Sequence, residues 1–290
     1  MAPVVIVHGI FNHVRGVGPE LAAERKAGQL RPRLAEGLEK LLPGTEVPEV
    51  TVAYYADLLR TRAPEEVQDD GRPAGFEDLT EPERVLVAQW LTEAGAAVPA
   101  ESMNMGLAPL RQMLGWLVDT RGGLAGAVRE QTIGRIERAL VANLREAEAY
   151  TTWPDRRRLV RERVAATIDR ECPSVVIAHS LGSYVAYETL HAFPDLQVEL
   201  LVTLGSPLRV PALARRLDPA LRDGRGAMPE GVGRWVNLAD AGDLVAVPSR
   251  LAEVFPVDAD EVCDTGLGFH GLGSYLANGL TAAAIAPYLS

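Results

Sequence analysis

The apolar positions of the chain form short continuous runs that alternate with longer amphipathic stretches. Val4 to His8 is a β-branched run closed by Gly9, which is typical of a strand buried on both faces of a parallel sheet. A helical pattern follows over Pro19 to Leu42 and ends at Pro43-Gly44. Further strands are predicted at Val50–Tyr55, Val175–Ala178, Leu200–Leu204 and Trp235–Leu238, with a weaker sixth at Glu253–Val257. Strands that alternate with helices predict an α/β fold, with a mostly parallel central sheet flanked by helices.

The interval between Asp57 and Pro173 is too long for a simple connection between two strands. It spans 115 residues, whereas a complete βαβ unit needs only about 30. Thr80-Glu81-Pro82-Glu83 is typical of a capping box at a helix start, and turns are predicted at residues 69–73 and 122–123. We therefore predict a helical insertion over residues 60–150, within a single domain spanning residues 1–290. Its later helices and the crossover helix after them are predicted at Leu107–Val118, Ala125–Tyr150 and Trp153–Cys172, and a last helix at Leu272–Tyr288.

Composition and charge exclude several classes of protein. The 290 residues are 47% hydrophobic and 23% charged, which is ordinary for a globular chain and excludes a disordered or fibrous one. The formal net charge of −10 disfavours nucleic acid as a partner. Two cysteines, Cys172 and Cys263, are too few for a disulfide framework and fit a reducing compartment. No signal peptide and no long apolar run are visible, so we expect a cytoplasmic protein without a transmembrane segment; the oligomeric state is not predicted.

A sharp turn is predicted where the third strand meets the next helix. Ala178-His179-Ser180-Leu181-Gly182 directly follows the strand that begins at Val175, and Tyr184 to Ala192 has a helical pattern. Such a turn holds a serine above the sheet edge, where a substrate carbonyl can reach it, and it needs small residues two positions before and after the serine. The start of the following helix adds a dipole that favours developing negative charge.

With this motif the chain resembles the α/β-hydrolase family, in its lipase/esterase branch. The nucleophile elbow of that family is Gly-x-Ser-x-Gly, and Ala178 stands here at the first position, where it is small enough for the turn. The resemblance extends to Val7-His8-Gly9-Ile10 after the first strand, and it implies that Ile10 and Leu181 donate the oxyanion-hole N–H groups. Leu204-Gly205-Ser206-Pro207, after the following strand, is also common in lipase-like members, and its expected role is structural.

The same resemblance implies a catalytic triad with Ser180 as nucleophile, followed along the chain by the acid and then the histidine. Similar proteins carry the acid in an Asp-x-Val turn, which matches Asp243; Asp240 lies nearer the strand end and is the alternative. His270, flanked by glycines before the last helix, is the one histidine after Asp243 and is the predicted base. His8 is expected to hold its loop rather than to react.

No cofactor or metal is implied. Residues 266–271 fit Gly-x-Gly-x-x-Gly, but a dinucleotide fingerprint must follow the first strand of a βαβ unit and precede an acidic residue about 20 positions on. Here the motif lies near the end of the sequence, with no acidic residue after it. A phosphate-binding loop ending in Gly-Lys and a His-Glu-x-x-His zinc motif are both absent from the sequence.

The function that the resemblance implies is hydrolysis of a carboxylic ester through a Ser-His-Asp triad and an acyl-enzyme. The expected partner is a small-molecule or lipid-like acyl substrate. An acyltransferase, a thioesterase or a serine peptidase could use the same triad, and a hydrolase-like binding protein without turnover is the alternative outside catalysis. Family members often carry a helical cap, so the insertion at residues 60–150 is a possible cap, and its position relative to the active site is not predicted. Its large apolar residues either form helix-packing core or line an acyl pocket: Trp90, Met103, Met105, Met113 and Trp116.

Overall fold

Six parallel strands form one sheet. The computed structural model describes residues 3–10, 12–59, 74–97, 106–122, 126–266 and 270–289. The strands are β1 Val4–Val7, β2 Val50–Ala53, β3 Val175–His179, β4 Val198–Leu204, β5 Val232–Asp240 and β6 Ala259–Cys263. Their order in the sheet is β2-β1-β3-β4-β5-β6. All five strand pairs are parallel, so the predicted α/β fold with a parallel central sheet is confirmed.

The order of the strands creates a crevice at the carboxyl end of β1 and β3. The chain leaves β1 towards β2 on one side, and returns to β3 on the other side before continuing outward to β6. Val7 is paired with Ala178 in the register of these two strands. The loops that follow β1 and β3 therefore leave the same edge side by side, which is where open α/β sheets bind their ligands.

Helices cover both faces of this sheet. The helices are α1 Pro19–Leu41, α2 Glu81–Glu93, α3 Leu107–Gly122, α4 Gly126–Thr152, α5 Pro154–Glu171, α6 Leu181–Ala192, α7 Pro211–Ala214, α8 Leu272–Leu276 and α9 Gly279–Ile285. One face of the sheet packs against α1, α8 and α9, and the apolar side chains between them include Ile6, Leu34 and Ile285. The other face packs against α5 and α6, with Val176, Tyr184 and Trp235 in the shared core.

Helices α2, α3 and α4 form the described part of the predicted insertion. The capping box at α2 is present: the side chain of Thr80 accepts from Glu83 N, and the Glu83 carboxylate accepts from Thr80 N at 2.6 Å. Buried residues of these helices join the core cluster that covers α5 and α6. The turn predicted at residues 69–73, Gly123 of the second predicted turn, and Met103 and Met105 lie outside the described residues.

A buried carboxylate on α6 links the insertion to the helices that pack against the sheet. Glu188 of α6 is fully buried and bonds to Arg157 and Arg161 of α5. The hydroxyl of Tyr150, on α4, donates to the same carboxylate at 2.7 Å, and Asp218 N donates at 2.9 Å. This one side chain of α6 thereby holds three other segments of the chain, α4, α5 and the loop at Asp218.

Two predicted elements were wrong. The sixth strand is not at Glu253–Val257 but at Ala259–Cys263, and a 3₁₀ turn occupies Leu251–Glu253. An edge strand pairs on one side only and can be polar, so its hydrophobic pattern is weak. The C-terminal helix predicted over Leu272–Tyr288 is broken, because Asn278 caps a new helix by accepting from Leu280 N.

Within the described ranges, none of the helices has the length and apolar character needed to cross a bilayer.

Candidate active site

Ser180 lies on a strained turn between β3 and α6. Its backbone has φ 53° and ψ −132°, a region that side-chain-bearing residues rarely adopt and that costs about 1–3 kcal/mol. Ser180 N still donates to Leu204 O at 2.9 Å, as the last bond of the β3–β4 ladder. The strain places the hydroxyl at the carboxyl edge of the sheet, directly before the first residue of α6.

The loop after β1 presses against this turn. A Cβ atom added to Gly182 would lie 2.4 Å from the carbonyl oxygens of both Val7 and His8, so only glycine fits at that position of the elbow. The backbone N–H groups of Ile10 and Leu181, the predicted oxyanion donors, have no acceptor among the described residues. For Leu181 the reason is its place in the first turn of a helix, where N–H groups lack an intrahelical acceptor.

Ser180, His270 and Asp243 form a continuous chain of hydrogen bonds. His270 Nε2 lies 2.7 Å from Ser180 Oγ, and His270 Nδ1 lies 2.7 Å from Asp243 Oδ2. The carboxylate is fully enclosed, whereas the imidazole is 13% exposed. With a proton on Nδ1, the imidazole presents its unprotonated Nε2 to the serine hydroxyl, which is the orientation that a general base requires.

The structure separates the two candidate acids. Asp243 Oδ1 accepts from Val245 N and Ala246 N, and its other oxygen faces His270. The oxygens of Asp240 instead accept from Gly242 N at 2.6 Å and Thr265 N at 2.5 Å, which is the backbone bonding of a turn-forming aspartate. Asp243, rather than Asp240, is therefore the carboxylate in contact with the imidazole.

Two further side chains hold the acid. Tyr275 of α8 is fully buried and donates to Asp243 Oδ2 at 2.7 Å, while its oxygen accepts from Asp240 N at 2.9 Å. Burial raises the pKa of the Tyr275 phenol well above its usual range, so the hydroxyl stays protonated and remains a donor. Trp90 of the insertion donates from Nε1 to Leu244 O at 3.1 Å. The insertion and α8 therefore both position the loop that carries Asp243.

Helix α4 of the insertion lies over the serine. Asn143 is buried, its Oδ1 lies 3.2 Å from Ser180 Oγ, and its Nδ2 donates to Ala139 O at 3.1 Å. The single serine proton has two acceptors within reach, and the closer of them is His270 Nε2. The insertion, through α4, therefore lies over Ser180 at the carboxyl edge of the sheet.

A cavity of about 350 Å³ opens beside this group. Its walls are formed by His270 and Asp243, by the loop residues Ile10 and Leu244, and by α4. Trp90 and Met113 belong to the packed core, and Trp116 is 43% exposed; none of the three lines the cavity. Trp90 and Met113 therefore pack in the core, and the α4 residues that do line the cavity are Arg135, Ile136 and Ala139.

The other buried histidines support the site in their neutral form. His8 accepts from Tyr55 N at Nε2, lies 2.8 Å from Gly9 O at Nδ1, and stacks on the Tyr55 ring at 4.2 Å. Burial lowers the pKa of His8 to about 4. His179 bonds through Nε2 to His270 O at 2.9 Å, and burial, helped by the neighbouring His270, lowers its pKa well below the usual range. Both histidines hold backbone next to Ser180.

Sequence reasoning missed three residues at the site: Tyr275, Asn143 and Arg135. For Asn143 a signal existed, since a lone amide interrupts an apolar face that repeats at helical spacing through Ile136, Leu140 and Leu144. Arg135 is exposed on the same helix and resembles any solvated arginine. The partners of Tyr275 come from β5 and the loop after it, so nothing in the local sequence marks it.

Among the described residues, no group of three or more His, Cys, Asp or Glu side chains is arranged to hold a metal ion. The chain matches no protein-family model, no curated protein and no solved structure. Its function is therefore proposed from the geometry of the site.

Proposed function

We propose that this protein is a serine hydrolase that cleaves carboxylic esters through an acyl-enzyme on Ser180. The observation that carries the proposal is the hydrogen-bonded chain from Ser180 Oγ through His270 to Asp243, with both distances at 2.7 Å. It stands on a strained strand-to-helix turn beside a cavity. A nucleophile, a base and an orienting acid in this arrangement are the parts that acyl transfer needs.

The reaction follows from the positions of these groups. Ser180 Oγ attacks the ester carbonyl carbon while His270 Nε2 takes the hydroxyl proton, and Asp243 stabilises the imidazolium that forms. The carbonyl oxygen becomes an oxyanion that the N–H groups of Ile10 and Leu181 bind. His270 then gives its proton to the departing alkoxide, which leaves as an alcohol. Water, deprotonated by His270, attacks the acyl-enzyme and releases the carboxylic acid and free Ser180.

An ester of an apolar acyl group fits the cavity better than an acetyl ester does. The wall is largely aliphatic, with Ile10, Ile136, Leu244 and Leu272 among its residues. Each CH₂ group that leaves water for such a wall contributes about 0.8 kcal/mol. We therefore expect the specificity constant to rise over several added acyl carbons. An acyltransferase, a thioesterase or a peptidase would share the acyl-enzyme and differ in the group that arrives or leaves.

Two measurements test the proposal. A fluorophosphonate probe should label the wild-type protein at Ser180, and 4-nitrophenyl esters from acetyl to decanoyl should be hydrolysed with increasing kcat/KM. Ser180→Ala should lose both labelling and turnover while keeping its circular dichroism spectrum and its melting transition. Ser183→Ala, in the first turn of the same helix but bonded to Ser180 O and Ser206 rather than to His270, is the matched control and should still be labelled.

Absence of labelling in folded wild-type protein would make it a binding protein and overturn the proposal. Labelling without hydrolysis of any oxygen ester would move the assignment to acyl transfer, thioesters or peptides. Full hydrolysis by Ser180→Ala would remove Ser180 from the mechanism.

A further inference from the structure

Helix α4 presents one continuous face to the active site. Asn143 contacts Ser180 Oγ at 3.2 Å, and Arg135, Ile136 and Ala139 line the cavity. Arg135, Ala139 and Asn143 follow one another at intervals of four residues, and Ile136 lies three residues before Ala139, so all four lie on one side of the helix. Asn143 and Arg135 are eight residues apart in the sequence, which corresponds to about 12 Å along the helix axis. The face therefore runs from the nucleophile to Arg135, with small and aliphatic side chains between them.

Arg135 differs from the other charged groups around the cavity. Asp243 and His270, which also line the cavity, are hydrogen-bonded to each other. Apart from Asp243 and Arg135, no Asp, Glu, Lys or Arg among the described residues lines the cavity. Two other arginines of α4 are paired, Arg129 with Asp119 and Arg145 with Glu83. Arg135 is exposed and has no acidic partner within the described part of the chain. Within the described residues it is an unpaired cation on the cavity wall, at the other end of the α4 face from Asn143.

We propose that the acyl group of the substrate is an apolar chain that ends in a carboxylate, and that this carboxylate pairs with Arg135. The inference rests on the proposed ester hydrolysis at Ser180 and names its substrate class. The methylene groups lie along Ile136 and Ala139, and the distal anion reaches the guanidinium, whose planar fork matches a carboxylate. The spacing along α4 sets a preferred length, because a shorter chain leaves the anion in the apolar part of the cavity, where an unpaired charge is costly.

The test compares two series of 4-nitrophenyl esters of equal chain length. One series holds half-esters of dicarboxylic acids from adipic to dodecanedioic acid, and the other holds the corresponding neutral alkanoates. The readout is the ratio of kcat/KM for the charged ester to that for the neutral ester. In the wild type this ratio should peak at one chain length and decrease when salt is added, since salt screens an exposed ion pair.

Variants of α4 assign the peak to one side chain. Arg135→Gln should lower the peak ratio by up to about fivefold, the range expected for an exposed ion pair. Arg135→Glu should lower it further, and Arg135→Lys should keep most of it. Arg138→Gln removes an arginine of the same helix that does not line the cavity and should leave the ratio unchanged.

The outcomes separate this inference from the proposed function. If wild-type protein hydrolyses neutral esters but the ratio is flat with chain length, or Arg135→Gln leaves it unchanged, the anionic acyl group is wrong and ester hydrolysis stands. A second ester, 4-octanoyloxybenzoate, carries its carboxylate on the leaving group instead of the acyl group. If the Arg135 variants lower kcat/KM only for this ester, the placement of the anion on the acyl group is wrong. If no ester is hydrolysed and Ser180 is not labelled, the proposed function itself fails.

Discussion

The phenol of Tyr275 donates a 2.7 Å hydrogen bond to Asp243 at the same oxygen, Oδ2, that faces His270 Nδ1. The acid therefore receives two donors on one oxygen and the N–H groups of Val245 and Ala246 on the other. Tyr275 thereby fixes the position of the Asp243 carboxylate against His270.

Tyr275→Phe should lower kcat/KM about tenfold, since a hydrogen bond to a charged group contributes about 1.5–3 kcal/mol. Removing the donor leaves the Asp243 carboxylate less firmly held against His270. Steady-state kinetics on one ester and thermal unfolding measure the effects on activity and on stability separately. A lower melting temperature with an unchanged kcat/KM would show that Tyr275 only packs the core.

Asp243→Asn should cost far more activity than Asp240→Asn. The first change removes the acceptor of His270 Nδ1–H and favours the wrong tautomer, with an expected loss of about 10⁴-fold in kcat. The second keeps one side-chain oxygen for the turn and should cost less than tenfold in kcat, with about 1 kcal/mol of stability. Steady-state kinetics on one ester measures both. Were Asp240→Asn the inactive variant, Asp240 would be the functional acid.

Ser180→Gly should be more stable than Ser180→Ala by about 1 kcal/mol. Glycine accepts a backbone at φ 53° and ψ −132° without the strain that a Cβ atom creates there. Urea denaturation of the two variants measures the difference in stability. Ser183, in the regular first turn of α6, supplies the control, since Ser183→Ala should be more stable there than Ser183→Gly. Equal stabilities of the two Ser180 variants would mean that the turn carries no strain.

The pKa of His8 should be near 4 in the folded protein, and His179 should remain neutral through the pH range in which an ordinary histidine titrates. Because the folded pKa lies below the unfolded value of 6.5, the unfolded chain binds more protons between about pH 6.5 and pH 4, and stability falls as the pH drops through that window. The shift of His8 alone lowers the free energy of unfolding by up to about 3 kcal/mol across that window. Titration of the imidazole Cε1–H signals by NMR checks this, with urea-unfolded protein as reference; a folded-state pKa near 6.5 would contradict it.

Glu188→Ala should reduce the free energy of unfolding by about 3–5 kcal/mol, because it leaves Arg157 and Arg161 without their buried counter-charge. Glu162→Ala removes an exposed partner of Arg158 and should change stability by less than about 1 kcal/mol. Chemical denaturation of both variants measures the contrast. Similar effects at the two positions would mean that the buried carboxylate does not fasten α4 and α5 to α6.

Local sequence determined those parts of the fold that depend on neighbours along the chain. Five of the six strands lie where apolar runs predict them, because a strand covered on both faces must be apolar throughout. The α2 helix begins at its predicted capping box, since Thr80 and Glu83 satisfy each other's backbone groups within one turn. Ser180, Asp243 and His270 were also predicted as one group, because their order along the chain matches serine, acid and histidine.

Tertiary structure decided whatever depends on contacts between distant segments. The edge strand β6 and the break at Asn278 escaped prediction, because one-sided pairing and a cap inside an apolar stretch leave little trace in periodicity. The placement of α4 over Ser180 fixes Asn143 and Arg135 at the site, although helical spacing indicates only that they share a face. Asp243 is distinguished from Asp240 by the imidazole and the phenol that reach it from 27 and 32 residues further along the chain. Sequence patterns predict strands, turns and caps, because these depend on residues close together in the chain. Which side chains meet at the site depends on how the helices pack across the sheet.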